Sequence, residues 1–170
     1  GYGNDWMQIL ERHFDETVSA TTSVVLEFDQ RYAMELDYDY GYVDVRSSAT
    51  GDVWVTIETM NNYGFTGTPG KSVDWDATSP PVPPGHPLGH ITLDVSAEAL
   101  GVEFDLRFRF ESDGAYSSQD QWDNSTHSVL DGAWQLDNIT LLDDAVQIFY
   151  DDADSGDQWP HATVIAAGHA

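Results

Sequence analysis

A chain of 170 residues that is 41% hydrophobic and 12% aromatic, six Trp included, can bury the core of one domain, and this composition excludes intrinsic disorder. Thirty acidic residues, 22 Asp and eight Glu, stand against six Lys and Arg, giving a formal net charge of -24 that repels nucleic-acid backbones and anionic lipid surfaces and makes cations the natural partners. With no Cys there is no disulfide, thiolate metal site or sulfur redox chemistry, and no apolar run is long enough for a membrane span or a signal peptide. Gly1 in place of an initiating Met gives the expectation of a chain processed or excised from a longer one. The excess of Asp over Glu suits calcium sites and turns, because the short carboxylate reaches an ion or its own backbone from a loop. A solvated acidic coat, as a high-salt habitat demands, has the same composition, and Lys71 is the only Lys.

Strand patterning dominates the chain. Only the opening GYGNDWMQILERHF has helical character, and it is short and lacks a sustained 3.6-residue period. SVVLEFD then places Val24, Leu26 and Phe28 on one strand face. Apolar side chains occupy even positions at Tyr32, Met34 and Leu36 but odd ones at Val43 and Val45, a change of phase that the DYDYG turn supplies. DVWVTIE sets Val53, Val55 and Ile57 on one face and Trp54 on the other. A long Gly- and Pro-rich loop covers 61–88, and a strand is predicted for Ile91 to Val95. From Val102 to Glu111 the alternation is complete: Val102, Phe104, Leu106, Phe108 and Phe110 point one way, Glu103, Asp105, Arg107, Arg109 and Glu111 the other. A second long, polar loop spans 112–131, and further strands are predicted at Ala133 to Leu142 and Ala145 to Tyr150. Many short strands without intervening helices predict an all-β fold, an antiparallel two-sheet jelly-roll sandwich whose long loops are where binding resides.

The order RYAMELDYDYGYVDVRS, DVWVTIE, Trp75, ITLDVSAEALGVEFDLRFRFESD and GAWQLDNITL resembles the jelly-roll modules of immune-inhibitor-A-type secreted metallopeptidases, and the MAM-like and choice-of-anchor domains of bacterial surface proteins. The DYGYV turn-strand, LDVSAEALG, similar to the family's "DLS.YAG", and WQLDNI, similar to "W.IDNI", are its most specific pieces. This resemblance implies a sandwich over residues 1–144 of a secreted or cell-surface protein from a bacterial or archaeal source. FYDDADSGDQW resembles the opening "F.DDFESG...W" of such modules, yet it follows the closing strand. Residues 145–170 therefore either fold back and complete the sandwich or begin a second module.

The same resemblance implies calcium: in related jelly rolls an acid of the opening strand pairs with the Asp of the closing "DN", positions matched by Asp154 and Asp137, the alternative being that Asp137 and Asn138 only cap a strand turn. Asp152 joins them in DDADSGD, which repeats Asp at alternate positions but lacks the Glu that closes an EF-hand loop. Asp37 and Asp39, with Asp44 nearby, form a second acidic group at the DYDYG turn, either solvated turn acids or a group whose repulsion a cation would relieve. Trp54, Tyr63, Phe65, Trp75 and Trp122 are candidates for glycan or peptide recognition through flat aromatic faces, with core packing as the alternative for each.

No HExxH, GxSxG or P-loop sequence is present. His86 and His90 stand four apart, but Pro87 and Gly89 between them preclude a helical metal pair. His13 with Asp15 and Glu16 imitates a catalytic cluster, in a chain so acidic that such groupings carry little information. The expectation is a non-catalytic, calcium-stabilised accessory or adhesion module whose partners are a glycan, a peptide, or other domains or subunits of a larger secreted protein, without nucleic acid and without membrane insertion. The alternative is a structural subunit of an extracellular assembly with no small ligand.

Overall fold

A computed structural model describes residues 6–15, 22–32, 38–60, 73–74, 89–114, 134–152, 159 and 163–166. Ten strands run in chain order: β1 (Trp6–Phe14), β2 (Val24–Tyr32), β3 (Tyr40–Ser47), β4 (Val55–Met60), β5 (Val73–Asp74), β6 (Gly89–Asp94), β7 (Phe104–Glu111), β8 (Trp134–Asp143), β9 (Val146–Asp151) and β10 (Thr163–Ala166). A 3-10 turn (Ser48–Thr50) and a one-turn helix, α1 (Ser96–Ala99), complete the described elements.

The strands form two sheets. The first has the order β10-β1-β7-β3-β4 and is antiparallel throughout; in the second, β2 lies between β8 and β6, and β9 continues beyond β8. The two-residue β5 extends the β6 edge of β2 in the parallel sense. Chain crossings from β1 to β2, β2 to β3, β4 to β5, β6 to β7, β7 to β8 and β9 to β10 pass between sheets, so apart from β3–β4 and β8–β9 the paired strands are not consecutive in sequence, as in a jelly roll. The expected all-β two-sheet sandwich is the observed architecture. β9 hydrogen-bonds to β8 and β10 to β1, so both C-terminal strands lie within the two sheets.

Alternation decides which side chains enter the core. Val24, Leu26 and Phe28 of β2 and Phe104, Leu106, Phe108 and Phe110 of β7 are all buried, and Phe28 meets Phe108 edge-on at 5.1 Å between ring centroids. Gln30 continues the β2 series and is also fully buried; its Oε1 accepts the indole N–H of Trp134 at 2.7 Å.

Of the opening segment, Trp6–Phe14 form β1 and not a helical turn. Trp6, Leu10 and Phe14 stand four apart, a spacing shared by one face of a helix and one face of a strand, and the ladder to β7 resolves it in favour of the strand. The strand of DVWVTIE begins at Val55, and Val53, in the bend before it, is 58% exposed. The β8–β9 hairpin turns through Asp144 and Ala145 at φ 46 and 68, the positive values that a two-residue type I′ turn requires of both central residues. Asp144 Oδ1 also accepts the backbone N–H groups of Thr22 and Ser23, fastening this turn to the start of β2.

Candidate functional site

Both outer sheet faces carry organised polar groups. On the first sheet, β3 and β7 pair so that Tyr42 lies opposite Arg109, Asp44 opposite Arg107 and Arg46 opposite Asp105. The Asp44 carboxylate is only 1% exposed although it projects away from the core. It accepts Arg107 Nε–H at 2.8 Å, Arg109 Nε–H at 2.9 Å and the Thr56 hydroxyl at 2.7 Å. Burial pushes the Asp44 carboxyl up, but the hydrogen bonds from Arg109, Thr56 and Arg107 together outweigh it and hold the group below its ordinary value. Arg109 also pairs with Glu111.

One step along the strands, Asp105 accepts Arg46 Nη2–H at 2.7 Å and bonds His13 Nδ1 at 2.7 Å. Its carboxyl is raised by burial and lowered further by His13 and Arg46, with a net downward shift. Aromatic rings roof these ion pairs: Arg107 and Arg46 lie 4.1 and 4.6 Å from the Trp54 ring centroid, and Arg109 lies 4.0 Å from that of Tyr42.

On the second sheet a hydrogen-bonded row crosses four strands. His90 Nδ1 meets Asp29 Oδ1 at 2.8 Å, Asn138 Nδ2 donates to Asp29 Oδ2 at 2.8 Å, and the Tyr150 hydroxyl donates to Asn138 Oδ1 at 2.7 Å. A β-bulge positions it. Asp29 pairs with Asp137 and Glu27 with Thr140, so Asn138 and Ile139 together oppose Phe28, and Asn138 adopts φ 51. The Tyr150 phenol is raised by desolvation first and then by the negative fields of Asp152, Asp137, Asp29 and Asp151.

Asp137 and Asp152 therefore act on one group, Tyr150, from β8 and from the residue after β9. Asp137 Oδ1 also accepts the next backbone N–H, that of Asn138, at 2.8 Å. Asp154 and Asp37 lie outside the described residues, as do Tyr63, Phe65, Trp75 and Trp122. Asp39 is fully buried, and its Oδ1 accepts the Asp113 backbone N–H at 3.1 Å, so it turns toward the end of β7 while Asp44 turns to the arginines. Trp54 is half-buried, with its ring on Arg46 and Arg107. His13 pairs with Asp105 and not with the neighbouring Asp15, and His90 lies on β6 in the Asp29 row. Among the described residues no three His, Asp or Glu side chains converge closely enough to hold a metal ion.

Two clefts adjoin these faces. One of about 380 Å³ is lined by His13, Ser47, Ser48, Asp52 and Asp105. Its Ser47 hydroxyl donates to the Glu98 carbonyl and accepts the Ala49 N–H, so it works as a cap for the 3-10 turn. The other, about 320 Å³, is an apolar seam between the sheets lined by Leu10, Phe108, Phe110, Trp134 and Leu136.

The chain matches no protein-family model, and no curated protein matches it at a significant level. The sequence reading missed the Asp29–Asn138–Tyr150 row and the Asp44–Arg107–Arg109 cluster. The signal for the second was present in the outward positions of β7, where two Arg interrupt a run of acids.

Proposed function

We propose that the chain is a non-catalytic, calcium-stabilised accessory or adhesion module of a secreted or cell-surface protein, which engages a glycan, a peptide or a protein partner through its surface. The observation that supports this reading is the β8–β9 register, in which Ile139 opposes Asp151, so that Asp137 and Asp152 lie near one another at the end of the hairpin strands and the fields of both raise the Tyr150 phenol. The donors there, carboxylates with the Asn138 amide beside them, are of the hard-oxygen type that calcium takes. Asp137 and Asp152 would hold the ion, and Asp154, two residues further along the chain, would complete the set. Bound calcium would offset the mutual repulsion of these carboxylates and tie the end of β9 to β8.

A binding role is supported over a catalytic one by the way the reactive side chains are engaged. Ser47, which lines the same cleft as His13 and Asp105, has its hydroxyl engaged by the Glu98 carbonyl and the Ala49 N–H, as a structural cap and not as a nucleophile.

Thermal melting with calcium, with magnesium at equal ionic strength and with chelator tests the proposal. Calcium at a hundredfold excess over its Kd adds about 2.7 kcal/mol, which for a domain of this size raises Tm by about 5–10 °C. The rise is expected to be absent in Asp137→Asn. Equal melting in calcium and chelator would overturn the calcium reading.

A further inference from the structure

The outer face of the first sheet carries a track of aromatic rings that the ion pairs beneath it hold in place. Tyr40 and Tyr42 alternate with the buried Val43 and Val45 and so project outward; their rings lie 5.9 Å apart at an interplanar angle of 25°. Tyr38, just before the strand, is 58% exposed. Further along the same face Trp54 rests on Arg46 and Arg107, as Tyr42 rests on Arg109. Hydrogen-bonding groups flank the track: Glu111 is the register partner of Tyr40, and Arg109 and the exposed Thr59 are those of Tyr42.

The charge of this face differs from that of the chain as a whole. The three guanidinium groups against the rings, Arg46, Arg107 and Arg109, are met by four carboxylates, Asp105, Asp44, Glu111 and, 3.8 Å from Arg46, Glu11, so the cluster sums to only -1 in a chain of net charge -24. A polyanion gains nothing from a nearly balanced patch and is repelled by the rest of the molecule. A polycation would find stronger attraction elsewhere on the surface. An uncharged ligand with a flat apolar face suits the rings.

We propose that this face binds a neutral glycan of equatorial-hydroxyl sugars, gluco- or xylo-configured, whose ring faces present only C–H groups to Tyr40, Tyr42 and Trp54 while their hydroxyls reach Glu111, Arg109 and Thr59. Successive outward residues of a strand stand about 6.6 Å apart, so Tyr40 and Tyr42 offer neighbouring stacking positions along an extended chain. Their contacts with each other and with Arg109 hold the rings before binding, which lowers the ordering cost of association. The inference deepens the recognition role proposed above and names its ligand class.

Affinity electrophoresis of the purified chain in gels containing a soluble β-glucan, a neutral xylan, a polyuronate or a sulfated polysaccharide tests it, with Tm measured for each variant. Retardation by at least one neutral polysaccharide is expected. Tyr40→Ala, which leaves every ion pair of the cluster intact, is expected to weaken it about tenfold with little change in Tm, and Trp54→Ala to weaken it as well. Absence of retardation in both neutral gels, retardation only in the charged ones, or wild-type retardation by Tyr40→Ala would each overturn the inference. None of these outcomes bears on calcium-dependent melting, so this inference and the calcium reading fail separately.

Discussion

Removing the Asp44 carboxylate is the sharpest perturbation of the fold, because it removes one partner from a buried set and leaves the others in place. Asp44 is 1% exposed, and the Arg107 and Arg109 side chains that bond to it are only 16% and 15% exposed. In Asp44→Ala both guanidinium groups stay under the Trp54 and Tyr42 rings without the carboxylate, and the Thr56 hydroxyl loses its acceptor. Breaking a buried ion pair from one side costs about 3–5 kcal/mol, which corresponds to a fall in Tm of roughly 6–20 °C for a domain of this size. Replacing the whole set with Asp44→Leu, Arg107→Met and Arg109→Met removes the charges together, and most of the lost stability is expected to return. Circular-dichroism melts of the three proteins measure this. The pH dependence has a defined sign: because the Asp44 carboxyl is depressed below its ordinary 3.8, its contribution is fully present above that value and is lost only as pH falls through the lower folded-state value. The gap between Asp44→Ala and wild type is therefore constant near neutrality and closes only in strong acid. A Tm within about 2 °C of wild type at neutral pH, below the smallest shift those costs allow, would refute the reasoning.

Ala145 is exposed and sits at φ 68, where an L side chain costs about 1 kcal/mol. Ala145→Gly is therefore expected to raise the denaturation midpoint without changing the m-value, and a lowered midpoint would argue against the type I′ turn. Raising NaCl from about 0.01 M to about 1 M shortens the Debye length from about 30 Å to about 3 Å. That screening is expected to raise Tm through relief of the net charge of -24, and a flat or falling Tm would count against charge repulsion as a destabilising influence.

The core was legible where one strand face is buried over many residues. β7 shows it best: Phe104, Leu106, Phe108 and Phe110 announced an inward face, and all four are buried. β1 was not legible, because Trp6, Leu10 and Phe14 satisfy helical and strand spacing alike and only pairing with a strand some 90 residues away decides between them. The outward residues were harder still. Alternation predicts that Asp44, Arg107 and Arg109 leave the core, which they do, but a second layer of contacts then covers them, and that layer depends on β3–β7 register. Trp54 precedes the strand, and its packing on two arginines needed the same register. The row through Asp29 depends on the bulge at Asn138, a local insertion with no signature in the alternation of WQLDNITLLD. Asp137 entered as a candidate only through the resemblance of that segment to a family motif.

Charge distribution links the two outer faces. Removing the three Arg and four acids of the first-sheet cluster leaves three basic and 26 acidic residues, from totals of six and 30, so -23 of the net charge of -24 lies outside that cluster. A nearly balanced, aromatic-roofed face can meet an uncharged partner without first shedding counterions, whereas on the second sheet Asp152, Asp137, Asp29 and Asp151 all bias the Tyr150 phenol upward by their negative fields. Monovalent salt lowers the repulsion of all 30 acids together by screening, whereas an ion of the kind proposed at Asp137 and Asp152 would act on one end of one sheet and saturate. Comparing calcium with NaCl at equal ionic strength separates the two effects. If the acidity is only a solvated coat, the two salts raise Tm in proportion to ionic strength; if the Tyr150 end holds an ion, calcium gives a saturable increment above the NaCl curve that Asp137→Asn removes while the NaCl response remains.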